Sequence, residues 1–150
     1  MPKILVVYAS MTGNTEEMAE AIVEGAKEAG AEVVSKEAFD ATADELNHYD
    51  AIIIGAYTWG NGELPDEFLD FFEEMDGLDL SGKKAAVFGS GDTSYPIYCG
   101  AVDTIEAKLK ELGAEIVGEC IKFEYNASEE EKEQGRRLGR QIAGLVAVAG

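Results

Sequence analysis

The chain has 150 residues, 46% of them hydrophobic, which suits one compact domain spanning residues 1–150. It carries 30 acidic against 12 basic side chains, a formal net charge of -18. Such a field disfavours nucleic acid and anionic membrane as partners and favours basic protein surfaces, with association that slows as salt rises.

The first apolar run, residues 3–8 (KILVVY), reads as a strand. After the polar stretch ASMTGNT comes a helical pattern. Met18, Ile22 and Ala26 share one face, Glu16, Glu17, Glu20, Glu24 and Glu28 lie elsewhere, and Gly30 stands where the helix should stop. Further apolar runs fall at 32–35 (EVVS), 51–55 (AIIIG), 85–89 (AAVFG) and 115–123 (EIVGECIKF). A second helix is expected over PDEFLDFFEEM, with Pro65 in its first turn, and a third from about 102 to 112, closed by Gly113. The fourth opens at SEEEKEQ, with Ser128 as N-cap and Glu131 completing a capping box. Its apolar end, IAGLVAVAG, is far shorter than a membrane span and reads as the buried side of a last helix.

Alternating strands and helices imply parallel pairing through right-handed crossovers, hence an α/β three-layer sandwich. Runs one, three and four are nearly all apolar, as strands covered on both faces must be. Runs two and five carry Glu32, Ser35, Glu115, Glu119 and Lys122, as edge strands do. The pattern fits a five-stranded parallel sheet of order 2-1-3-4-5, whose ligands bind beyond the carboxyl ends of strands one and three.

Three loops leave those ends: ASMTGNT, AYTWGNGELP and SGDTSYPIYCG. The first feeds a helix N-terminus, where free amides and the helix dipole attract an anion. Ser10, Thr12 and Thr15 add hydroxyls, Asn14 an amide, and Gly13 close backbone approach, yet there is no lysine or arginine. It lacks the GK[ST] of a P-loop and the GxGxxG of a dinucleotide fold. Read alone, it is as consistent with a capped turn as with a phosphate site. The other loops place Trp59, and Tyr95 with Tyr98, on either side of the same crevice, where aromatic side chains can enclose a planar ring. The joint reading is a planar heterocycle bearing one phosphate.

YASMTGNTEEMA, GAYTWGNGELPDEF and VFGSGDTSYPIYCGAVDTIEAKLKELGAEIV resemble, over nearly the whole chain, a flavodoxin of the short-chain type. The resemblance implies the flavodoxin-like fold and FMN as cofactor. It also implies that Ser10, Met11, Thr12, Gly13, Asn14 and Thr15 hold the phosphate with help from Thr58, and that Trp59 and Tyr95 stack on the two flavin faces. The Gly60–Asn61 peptide would meet flavin N5, and backbone groups of Asp92 and Cys99 would serve the pyrimidine edge, with Gly91 and Tyr98 completing the set. The implied function is a low-potential one-electron carrier cycling between semiquinone and hydroquinone, with no substrate turnover and no metal. Implied partners are basic redox proteins such as an NADP-dependent flavodoxin reductase or low-potential oxidoreductases, met by a monomer.

The residues leave room for little else. His48, in ELNHYD, lies away from the ligand end, and neither cysteine has a neighbouring base. Cys99 and Cys120 lack CxxC spacing and read as reduced thiols. The opening MPKILVVYASMTG has too short an apolar run and no cleavage site for a signal peptide, so the expected location is cytoplasmic. An FMN-dependent quinone or flavin reductase on the same fold is the alternative. Against it, the chain is short for a nicotinamide domain, and aromatics on both flavin faces hinder hydride transfer. A response-regulator receiver would need acidic residues at the strand ends, where this chain has YAS and GAY.

Overall fold

A computed structural model describes residues 3–9, 14–57, 66–91, 100–117, 121–124 and 128–149. Strand β1 (Lys3–Ala9) leads into helix α1 (Asn14–Glu28) and strand β2 (Glu32–Glu37). Two short 3-10 turns, Ala38–Asp40 and Ala43–His48, precede β3 (Ala51–Tyr57). Then follow α2 (Asp66–Glu74), β4 (Lys84–Gly91), α3 (Gly100–Glu111), β5 (Glu115–Ile116), β6 (Ile121–Glu124) and α4 (Glu129–Ala149).

All the pairings are parallel and the sheet order is β2-β1-β3-β4-β5, as the alternation of runs predicts, with β6 also on β4. Side-chain alternation sorts the apolar residues into two layers. Ile4, Val6, Ile53 and Phe88 face Met18 and Ile22 of α1 and Leu138 and Ile142 of α4. Leu5, Val7, Ile52, Ile54 and Val87 face Phe68 of α2, Ile105 of α3 and Leu46 of the second 3-10 turn.

The helix ends are locally encoded. Gly30 (φ 91°) and Gly113 (φ 99°) adopt the left-handed conformation that closes α1 and α3. After each, the next amide reaches back to a carbonyl five residues earlier, Ala31 to Ala26 at 3.1 Å and Ala114 to Leu109 at 3.0 Å. The expected box at α4 is present in both directions: Glu131 N–H donates to Ser128 Oγ at 3.1 Å and Ser128 N–H to Glu131 Oε1 at 2.9 Å.

The expected continuous strand 115–123 is instead two short strands. Ala85 pairs with Ile116 and Phe88 with Ile121, so a three-residue advance on β4 faces a five-residue advance on its neighbour. Cys120, expected in the core of that strand, lies outside the described residues. His48 closes the second 3-10 turn just before Asp50, whose N–H donates to the Lys3 carbonyl at 2.9 Å, placing the histidine at the amino-terminal edge of the sheet.

Helices α1 and α4 pack side by side at glycines. A Cβ built on Gly139 would lie 2.1 Å from the Ile22 carbonyl oxygen, and one on Gly25 2.0 Å from that of Arg136. Ion pairs follow the same seam: Glu24–Arg136 at 3.3 Å and Glu28–Arg140 at 2.8 Å. Among the described residues, no helix is long and apolar enough to cross a membrane.

Candidate functional site

The carboxyl ends of the three central strands are level. Ala9 pairs with Ala56 across β1 and β3, and Tyr57 with Ser90 across β3 and β4. From this edge the chain departs in opposite directions. After β1 it enters α1, on the same face as α4; after β3 it enters α2, on the other face with α3. In doubly wound sheets this divergence marks the ligand-binding edge, and the segments that leave it here are 10–13, 58–65 and 92–99.

Of the expected site residues, Asn14 and Thr15 open α1 and Gly91 ends β4. Thr15 is 1% exposed, the single buried polar residue among those described. Ser10, Met11, Thr12, Gly13, Thr58, Trp59, Gly60, Asn61, Asp92, Tyr95, Tyr98 and Cys99 lie outside the described residues. The fold nevertheless fixes where their segments attach: each begins at the carboxyl end of β1, β3 or β4, and each ends at a helix.

The electrostatics of this end are negative. None of segments 10–13, 58–65 and 92–99 contains lysine or arginine. Three cations placed towards the carboxyl side are held by carboxylates: Lys36, opposite Val7, by Glu45 at 2.5 Å; Lys122, opposite Gly89, by Asp103 at 2.8 Å; and Lys132 by Glu129 at 3.8 Å and Glu17 at 3.9 Å. Tyr8, one residue before the end of β1, reports the field. Burial first, then the charges of Glu16, Glu37, Glu20 and Asp40, push its phenol above the ordinary value, so it stays protonated. An open groove of about 530 Å³ beside Tyr8 runs between α1 and β2, lined among the described residues by Glu20, Val23, Glu24, Lys27 and Ser35.

An anion bound here must therefore rely on α1 amides and neutral donors rather than a counter-charge. The donor set fits a phosphate monoester: a helix of fifteen residues begins five residues after β1 ends, its first turn free of basic side chains and carrying the buried Thr15. Two glycines in the carboxyl halves of β3 and β4 escaped the sequence reading. Gly55 and Gly89 both lie inside strands and both abut neighbours at less than 2.5 Å when given a Cβ, and a glycine within an apolar run is the signal for such close approach.

A parallel sheet of order β2-β1-β3-β4-β5 with helices on both faces defines a doubly wound α/β protein, the class whose ligands bind where the strand order reverses. Comparison with known proteins is more specific. The flavodoxin family model matches residues 6–139. The chain is 56% identical over 144 residues to probable flavodoxin 2 of Bacillus subtilis, covering 95% of each chain. It is 40% identical over 134 residues to a flavodoxin of Maridesulfovibrio salexigens, covering 87% of this chain and 92% of that one. The crystal structure of oxidised flavodoxin 1 from Bacillus cereus superposes with a TM-score of 0.91 at 47% identity, covering 95% of this chain and 97% of that one. The chain belongs to the flavodoxin family. Its cofactor is FMN, and it is an electron carrier with redox partners rather than an enzyme with a substrate of its own.

Proposed function

We propose that FMN lies over the carboxyl ends of β1, β3 and β4, with its phosphate on residues 10–15 and Thr58 and its ring between Trp59 and Tyr95. In this reading the Gly60–Asn61 peptide meets the ring nitrogen N5. Asp92 and Cys99 serve the pyrimidine edge through their backbones, and Gly91 and Tyr98 complete the wall. The observation that carries the reading is the level edge of three strands, from which three segments without lysine or arginine leave around a helix start.

Bound FMN supplies the one-electron chemistry; the protein supplies orientation and field. Glu63, Asp66, Glu67 and Asp92, in or next to the site segments in sequence, are the candidate carboxylates, and each one about 10 Å from the ring would oppose added negative charge by roughly 0.4 kcal/mol at an aqueous dielectric. Several together hold the last reduction step at low potential. The net charge of -18 selects basic redox partners, among them reductases that draw on NADP and low-potential oxidoreductases. One domain over residues 1–150, working as a monomer in the cytoplasm, agrees with a sheet covered on both faces and with cysteines lacking metal-site spacing.

An anaerobic spectroelectrochemical titration of the FMN-loaded protein tests this. Two well-separated one-electron steps are expected. A single two-electron wave would favour the quinone or flavin reductase reading instead.

A further inference from the structure

Among the described residues, α1 packs against α4 on one side and on the other overhangs the edge strand β2. The open groove of about 530 Å³ lies along that overhang. Its helix wall is Glu20, Val23, Glu24 and Lys27, a stripe at i, i+3, i+4 and i+7 that spans about 10 Å of α1. Tyr8 of β1 and Ser35 of β2 form the other side, and Glu37, the register partner of Tyr8, lies on the same face of the sheet. Charge is uneven along the groove. Glu17, Glu24 and Glu28 of α1 meet Lys132, Arg136 and Arg140 of α4, whereas Glu16, Glu20, Glu37 and Asp40, whose charges act on the Tyr8 phenol, have no ion pair among the described residues. Lys27, in the last turn of α1, stands at the opposite end.

We propose that the groove between α1 and β2 docks an arginine-bearing segment of a basic redox partner. The inference rests on the reading above that the partners are basic proteins. Its acidic end lies at the carboxyl edge of the sheet, since Tyr8 stands one residue before the end of β1 and Glu37 ends β2. A guanidinium suits that end better than an ammonium, because it stacks flat on a phenol ring while its fork of N–H groups reaches carboxylates. Val23 gives a neighbouring side chain an apolar contact, and Lys27 sets the polarity by repelling a cation from the far end. A second copy of this chain does not fit the same place, because it brings its own net charge of -18 to an acidic groove. A partner seated here lies beside the ligand-binding edge without covering it.

The test titrates the FMN-loaded whole chain with a short synthetic peptide of arginine and leucine, and with its lysine and glutamate counterparts, at about 0.02 M salt, following backbone amide NMR shifts. Shifts are expected at Val23, Glu24, Lys27, Ser35 and Glu37, with the arginine peptide about two- to fivefold tighter than the lysine one and none from the glutamate peptide. Ser35 is exposed on β2, so Ser35→Tyr keeps a strand-favouring residue, fills the groove and leaves the net charge alone. It should weaken the arginine peptide about tenfold, through loss of the stacked cation and its ion pair together. Glu20→Gln should cost up to about fivefold. Glu32→Gln, the same charge change on the opposite face of β2, should leave affinity as it was. Unaltered binding to Ser35→Tyr, equal effects of Glu20→Gln and Glu32→Gln, or shifts confined to other surfaces overturns the groove and leaves the basic-partner reading standing. Self-association of the chain without peptide, abolished by Ser35→Tyr, makes a second copy the occupant and also overturns the proposal. An arginine peptide that binds nowhere on the wild type overturns the basic-partner reading and this inference with it.

Discussion

The ring of Phe88 occupies the space that a side chain on Gly55 would need. The two residues are register partners on β4 and β3, and a Cβ built on Gly55 would lie 2.2 Å from Phe88 Cζ. Phe88 is fully buried on the face covered by α1 and α4, so its ring has nowhere to retreat without disturbing that layer. Gly55→Ala should destabilise the protein by about 1–3 kcal/mol through overpacking. Chemical denaturation of the flavin-free protein measures it, and a variant as stable as wild type would show that the ring can move at no cost.

Two glycines of α4 make opposite predictions from the same substitution. Gly139 touches the Ile22 carbonyl, whereas a Cβ on Gly144 would meet nothing within 4 Å. Gly139→Ala must push α1 and α4 apart and cost about 1–3 kcal/mol. Gly144→Ala, in an exposed helix interior, should add about 0.5–1 kcal/mol by restricting the unfolded chain. Melting temperatures that move in the same direction for both would contradict the packing.

Phosphate recognition by neutral donors predicts selectivity for FMN over riboflavin. Replacing Thr12 and Thr15 together by alanine removes two hydroxyls, each worth roughly 1 kcal/mol as a hydrogen-bond donor and more towards an anion. FMN affinity should fall by about tenfold or more while riboflavin affinity holds. Equal losses for both flavins would place the phosphate elsewhere.

The Lys36–Glu45 pair ties the edge strand β2 to the turn before β3. Its hydrogen bond to Lys36, and then the Thr42 amide at 2.8 Å, hold the Glu45 carboxyl below its ordinary range, and the same partner raises Lys36. A depressed carboxylate stabilises the fold above its unfolded pKa and ceases to do so as pH falls through the folded value. The raised lysine contributes below its unfolded pKa and is lost only as pH rises through its folded one. Glu45→Gln should therefore be less stable than wild type near pH 7, with the gap closing as pH falls through and below the carboxylate range. A gap that persisted unchanged at pH 2.5 would remove the ion pair as its cause.

Encounter with a basic redox partner should slow as ionic strength rises, because a net charge of -18 draws such a partner from a distance and salt screens it. Stopped-flow rates across about 0.02–0.5 M salt provide the measurement, the Debye length shrinking from tens of ångströms to a few over that range. A salt-independent rate for an association-limited step would rule out steering.

Much of this protein is written locally. Apolar runs of strand length, Gly30 and Gly113 at helix ends, and the Ser128–Glu131 box each depend on residues within a few positions of one another, and the structure reproduces them. The sheet order followed too, because runs apolar throughout can only be central strands, and the three loop motifs carried the family with them. What sequence could not decide depends on neighbours distant along the chain. Gly118 inside EIVGECIKF marks where a strand can be interrupted, but the offset between Ile116 and Ile121 is set only against β4, some thirty residues earlier. Gly55 and Gly89 look like ordinary strand glycines until Phe88, Ala56 and Val102 are brought against them. Likewise, Lys36, Lys122 and Lys132 count simply as positive charges in the composition, and only the folded chain sets Glu45, Asp103 and Glu17 beside them. Local propensity acts through backbone dihedrals and short hydrogen bonds, whereas clearance and charge pairing are distances between elements, and those exist only once the sheet has formed.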